Sequence, residues 1–176
     1  MPFPQTTIRS DIGHGIPGEI AFDSPSRVTP YNLNSTDAAN NVFGRYFTRV
    51  AGSENLTTDV AGDAQAGGTG SVGGIMINPR NHVGLGDGSW ALGSDSNVGN
   101  GTAVELMSMG IVFVLLATGG GRVGNRVQYN TTTGVLDLLA DGASPAAGFA
   151  IVPNAVIDRH DCQAGTNVLA IIKLTN

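Results

Sequence analysis

Short runs of β-branched, aromatic and aliphatic residues recur through the second half of this chain at about 8 to 12 residue spacing, each closed by turn-forming residues. Ala103 to Met107 alternates, and Gly110 to Ala117 (GIVFVLLA) reads as a buried strand. Val123 to Asn130 alternates Val123, Val127 and Tyr129 with polar neighbours. Asn130 to Gly134 (NTTTG) then reads as a turn, with Val135 to Leu139 as the returning arm of a hairpin. Ala147 to Val152, Ala155 to Ile157 and Val168 to Leu174 complete the set, punctuated at Asp141-Gly142 and Ala164-Gly165. No amphipathic window of helical period has any length. The pattern predicts an all-β fold, a sandwich or barrel of short, mainly antiparallel strands.

The first half reads differently. Five of the eight prolines lie within residues 1–34, among isolated apolar residues such as Ile8, Ile12, Ile16, Ile20 and Phe22. Proline breaks helices and removes ladder donors, so residues 1–34 are expected to form an extended N-terminal arm whose apolar side chains need a surface. A β-rich domain is expected over 35–176. A short helical turn near Ser35 to Asn41, capped by Ser35 or Thr36, would open it. Strands are expected within Asn41 to Val50 and Val72 to Asn78, with long glycine-rich loop excursions at about 52–74 and 84–101. The second loop carries the sole tryptophan, Trp90, read as a loop anchor.

Only 13% of the 176 residues are charged, 26 are glycine, and Lys173 is the single lysine beside eight arginines. So little charge cannot coat an ordinary monomer, which points to an assembly subunit whose exterior is covered by neighbours. Arginine suits such interfaces, because its planar fork binds a carboxylate through two parallel hydrogen bonds. A net charge of −5 argues against nucleic acid or an anionic membrane as partner. Cys162 is the only cysteine, so no intrachain disulfide can form. The longest apolar run, Gly110 to Thr118, is too short to span a bilayer, and the first residues show no secretory pattern. A soluble protein made in a cytoplasm is expected.

Several segments imitate chemical sites. Gly119 to Gly124 (GGGRVG) matches the dinucleotide fingerprint, but that chemistry needs a following helix to hold the pyrophosphate. NRVQYNTTTG follows instead, a strand and a turn. His160, Asp161 and Cys162 are adjacent, without the spacing of a metal site. Asp95, Asn97, Gly99 and Asn100 miss the glycine and glutamate positions of a calcium loop. Asp87 and Asp95 define no carboxylate geometry for glycoside cleavage, and there is no GxSxG elbow. The expectation is a non-enzyme without catalytic, metal or cofactor residues.

Pro17 to Ile20 (PGEI) in a proline-rich lead, Phe43-Gly44-Arg45, Val112-Phe113-Val114, Gly124 to Asn130 (GNRVQYN), Thr133 to Leu136, Phe149 to Ala155 (FAIVPNA) and the final strand together resemble the structural cement, or decoration, proteins of tailed bacteriophage capsids. The resemblance implies a β-rich body on the outer capsid surface of the virion, bridging neighbouring major capsid proteins and stabilising the shell. The implied partners are the major capsid protein and the chain itself, as a homo-oligomer with a trimer preferred and a dimer next. Neither nucleic acid nor membrane is among them. Phe3, Ile8, Arg9, Ile12, Ile16, Phe22, Arg27 and Tyr31 are the candidate capsid or inter-subunit contacts. An alternative is a glycan- or receptor-binding β-module of a phage fibre or adhesin, with Trp90 and Tyr129 as sugar platforms.

Overall fold

A computed structural model describes residues 15–50, 63–78 and 97–175. These residues are all-β, with one 3-10 turn and no α-helix among them. In chain order the strands are β1 (Arg27–Leu33), β2 (Tyr46–Arg49), β3 (Asp63–Ala66), β4 (Val72–Met76), β5 (Ala103–Thr118), β6 (Arg126–Asn130), β7 (Leu136–Leu139), β8 (Phe149–Ile157) and β9 (Thr166–Leu174).

The ladders close into two small barrels that share β5. In the first, β1 pairs parallel with β3, then β3–β2, β2–β4, β4–β5 and β5–β1 are antiparallel. In the second, β5 pairs parallel with β7, then β7–β6, β6–β8, β8–β9 and β9–β5 are antiparallel. Strand for strand the two circuits have one topology. The first half of β5 up to Met109 walls one barrel and the second half from Gly110 walls the other. Gly110 sits at the changeover with φ +138, a conformation that glycine adopts without steric penalty.

Alternation sorts the side chains. Leu33, Phe47, Ala64, Met76, Val104 and Leu106 fill the first barrel. Val112, Val114, Leu116, Val127, Leu136, Ile157 and Ile172 fill the second. Tyr46, Ile75 and Met107 point out of the first barrel and join the second cluster, so the barrels are packed together as well as covalently shared. Each such fully buried side chain contributes about 1.5–3 kcal/mol relative to exposure. Tyr46 and Tyr129 meet at this junction with ring centroids 4.4 Å apart.

The barrel alternative of the expected fold class is the one adopted, and the Asn130–Gly134 hairpin turn joins antiparallel β6 and β7. Several boundaries are corrected. Arg27–Leu33, placed in the arm, is a ladder strand. Leu33 exchanges both of its backbone hydrogen bonds with the Gly101–Thr102 segment leading into β5, so residues 29, 31 and 33 face that strand. Pro30 therefore points away, where its missing N–H breaks no bond. Within the expected 52–74 loop, residues 63–66 form β3, whose Ala64 and Ala66 are buried core residues despite the polar company, while the strand expected within Val72 to Asn78 is β4. The runs 103–107 and 110–117 are one strand, as are 147–152 and 155–157 across an exposed Pro153. The 3-10 turn Ala38–Asn40 is capped by Asp37, whose side chain accepts from Ala39 N, not by Ser35 or Thr36. Ser35 is buried, its hydroxyl accepting from Ala66 N at 2.8 Å.

Candidate functional site

Residues Gly15 to Phe22 form a strap across the seam between the barrels. Ile16 O accepts from Glu19 N at 3.0 Å, with Pro17 and Gly18 between them and Gly18 at φ +85. That is the residue pattern of a type II turn, proline presetting one corner and glycine supplying positive φ at the next. The turn delivers the chain to the edge of β5. Gly18 N donates to Phe113 O at 2.7 Å, Phe113 N to Glu19 O at 2.9 Å and Ala21 N to Ile111 O at 2.9 Å, while Ile20 bridges Val112. Along this edge β4 pairs near Met107, the strap occupies Ile111 to Phe113, and β7 follows at Leu116. The strap thus pairs a stretch of β5 backbone that lies between its β4 and β7 partners.

Both barrels hold it. On the first, Asn78 N donates to Gly18 O at 2.8 Å. A Cβ on Gly44 would stand 2.8 Å from Pro17 Cβ, so the close approach requires glycine there. On the second, Ala21 and Phe22 cover the outward face of Ile111, Phe113 and Ile171. Arg159 lies over the Phe22 ring. The outer side of the strap remains apolar and uncovered, with Ile16 40% and Ile20 42% exposed. Phe22 is half-buried, Arg27 is exposed at the start of β1, and Tyr31 is half-buried against the first core with Arg49 above its ring. The contacts expected at Phe3, Ile8, Arg9 and Ile12, and the anchor Trp90, lie outside the described residues.

The imitation motifs have backbone roles. Gly119 N, Gly120 N and Gly124 N donate to the carbonyls of Gly165, Gln163 and Ile157, so these amides are committed within the fold. Asp161 Oδ1 accepts from Val123 N at 2.8 Å, while Cys162 is buried and its N donates to Gly121 O. Asn100 is a hydrogen-bond hub: Oδ1 accepts from Ser35 N and Asn41 Nδ2, and Nδ2 donates to Ser35 O. Among the described residues no three His, Cys, Asp or Glu side chains gather as metal ligands. Asp87 and Asp95 lie outside the described residues.

Tyr129 is not available as a sugar platform. Its ring is 5% exposed against Tyr46, and its hydroxyl donates to Gly68 O at 3.1 Å. Burial holds both tyrosine hydroxyls above their ordinary pKa, Tyr46 the more strongly. A cleft of about 260 Å³ beside Asp37 is lined by Ser35, Thr36, Asn40, Gln65, Thr131 and Thr132 without an aromatic ring.

Neither Ile20 nor Arg159 is among the contacts expected from the sequence. Ile20 is one of the isolated apolar residues of the arm, and the surrounding glycines and prolines are the only local sign that it sits on a tight turn. Arg159 carries no local signal, because its partner lies far away in sequence.

A family model described as "Structural cement protein (E217 gp24/Pam3 gp6)" matches residues 3–175. A chain in the solved structure titled "The capsid of Myoviridae Phage XM1" is similar in fold, with a TM-score of 0.60 at 13% identity, covering 100% of this chain and 99% of that one. No curated protein sequence matches.

Proposed function

The chain belongs to the structural cement protein family, and on that premise we propose that it binds the outer surface of a phage capsid as a homo-oligomer, bridging neighbouring major capsid proteins. Its role is that of a capsid cement or decoration protein, and its place is the virion. The observation that carries this reading is the family match along residues 3–175. Three features favour the finer statement. Closed barrels are compact bodies with few free strand edges, suited to lying in a crowded lattice without adding further strands. The strap presents Ile16 and Ile20 outward from a backbone pinned to both barrels. Low charge reduces the desolvation that surface contacts would require.

Ile16, Phe22, Arg27 and Tyr31, with Phe3, Ile8, Arg9 and Ile12 upstream, are the proposed contact set, and a trimer is the proposed assembly ahead of a dimer. Shells assembled without the protein, then heated or osmotically shocked with and without its addition, test the role. Equal survival would refute it. Native mass decides the oligomer. Removing residues 2–14 deletes none of the described strap or strands, so lost shell binding with an unchanged circular dichroism spectrum would support the arm as a clamp. Retained binding would assign attachment to the strap and the barrels.

A further inference from the structure

The two barrels correspond residue by residue. Ile75 faces Met107 and Met76 faces Leu106 where β4 meets β5, as Val156 faces Lys173 and Ile157 faces Ile172 where β8 meets β9. Tyr46 faces Ile75 as Arg126 faces Val156, and Leu33 meets Ala64 across the parallel pair as Leu116 meets Leu136. Backbone bonds outside the ladders repeat too. Gly44 N donates to Met76 O and Met76 N to Arg45 O; Gly124 N donates to Ile157 O and Ile157 N to Asn125 O. Ile77 N to Glu105 O is matched by Asp158 N to Ile171 O, and Val98 N to Asn41 O by Cys162 N to Gly121 O. Such agreement is that of one five-strand unit used twice, with β5 ending the first copy and beginning the second.

The correspondence pairs Phe43 with Val123, Gly44 with Gly124 and Asn78 with Arg159. On the first barrel this trio is the groove under the strap: Pro17 rests on Gly44, Gly18 on Phe43, and Asn78 N donates to Gly18 O. On the second barrel the groove is open at Val123 and Gly124, while the Arg159 side chain turns onto Phe22 of the strap. A Cβ on Gly124 would meet nothing within 4 Å, and Val123 is 52% exposed. Arg159 N donates to no acceptor among the described residues. Exposed Arg122 and Arg126 flank the turn and form no ion pair with described residues.

We infer that the Val123–Gly124 groove of the second barrel docks a tight turn of the capsid protein, apolar at its corner and bearing an acidic side chain; this rests on the cement reading above. The counterpart groove shows what fits: a proline–glycine turn whose carbonyl takes the N–H at the Asn78 position, followed at once by Glu19. This chain's own strap is already bound on the first barrel and no other described segment lies on this groove, so the occupant is assigned to another molecule. In a shell the abundant neighbour is the capsid protein. A carboxylate on the segment meets Arg122 or Arg126 through charge-assisted hydrogen bonds.

The test is binding of the full chain to shells that lack it. Val123→Asp should lower shell affinity by more than about tenfold, the scale of losing one central interface contact. Its melting temperature should be unchanged, because the side chain is exposed. Val72→Asp, at a similarly exposed site on the first barrel, is the control and should bind within about twofold of wild type, the scale of a peripheral contact. A photo-crosslinker at position 123 should capture the capsid protein. Wild-type affinity of Val123→Asp, an equal loss in Val72→Asp, or capture of a second copy of this chain would each overturn the docking groove while leaving the cement reading standing. Failure of the wild-type chain to bind shells would overturn both.

Discussion

The Arg159 guanidinium carbon stands 3.9 Å from the centre of the Phe22 ring, fastening the strap to the β8–β9 connection. Asp158 steadies the head group from the side, its Oδ2 3.5 Å from Arg159 Nε. Arg159 itself has φ +64, a conformation that a bulky residue adopts only when the surroundings hold it. The contact therefore couples the seam-crossing segment to a strained turn of the second barrel.

Phe22→Ala is expected to destabilise the protein by about 1–2 kcal/mol, below the value for a core phenylalanine because the ring is half-buried. Arg159→Ala should lose less, about 0.5–1 kcal/mol, since half of that side chain is in water. Urea unfolding measures both. Limited proteolysis within residues 15–22 should accelerate in Phe22→Ala; unchanged cleavage would mean that the ring does not hold the strap.

Gly44 and Gly124 provide a matched pair, at φ +79 and +92. Replacing either with alanine places a Cβ on a left-handed backbone, at about 1–2 kcal/mol. Only Gly44→Ala also drives that Cβ into Pro17. Its melting temperature should fall further than that of Gly124→Ala, and equal decreases would show that the strap yields freely.

Asn100→Asp removes the Nδ2 donor that satisfies Ser35 O and sets a carboxylate oxygen against that carbonyl. A loss of about 1–3 kcal/mol is expected from the unsatisfied acceptor and the repulsion. Because Gly101 follows, deamidation during storage through a succinimide would also put a carboxylate at this position, as a mixture of aspartate and isoaspartate. Mass spectrometry of aged protein alongside urea unfolding of the variant checks whether the two species melt alike.

Tyr46 and Tyr129 are neutral where they are buried, and burial raises both folded-state pKa values above the ordinary 10.0. The unfolded chain then gives up these protons first on raising pH. Their contribution is fully present below pH 10.0 and declines above it, through the raised folded values. Unfolding free energy measured across the alkaline range should fall with a slope reduced in Tyr129→Phe. That variant also loses about 1 kcal/mol at neutral pH with the Gly68 hydrogen bond. An unchanged slope would exclude Tyr129 as a contributor.

The second barrel was the more legible half, because Val112 to Leu116, Val127 to Tyr129 and Val168 to Leu174 carry their burial as alternation or apolar runs. The first barrel hides its walls: β3 is Asp-Ala-Gln-Ala and β4 opens Val-Gly-Gly, where small residues permit close backbone contact and carry little periodic signal. A Cβ on Gly73 would stand 2.7 Å from Phe47 O, so the polar-looking glycine tract is tight packing. The arm was legible as extended, but not that it pairs with β5 of its own chain, since partners so distant in sequence leave no local mark. The duplication was hidden for a similar reason. Register and hydrogen bonding repeat while side chains differ, as in Phe47 beside Val127 or Met76 beside Ile157.

Because β5 is a party wall, neither barrel can be dismantled privately. Loss of the first half of β5 from its ladders strips β1 and β4 of their shared neighbour, and loss of the second half does the same to β7 and β9. A protein of two compact bodies should therefore melt as one calorimetric unit. Evolution can vary the loops of either half, but has no cut site between them at which one half could be discarded.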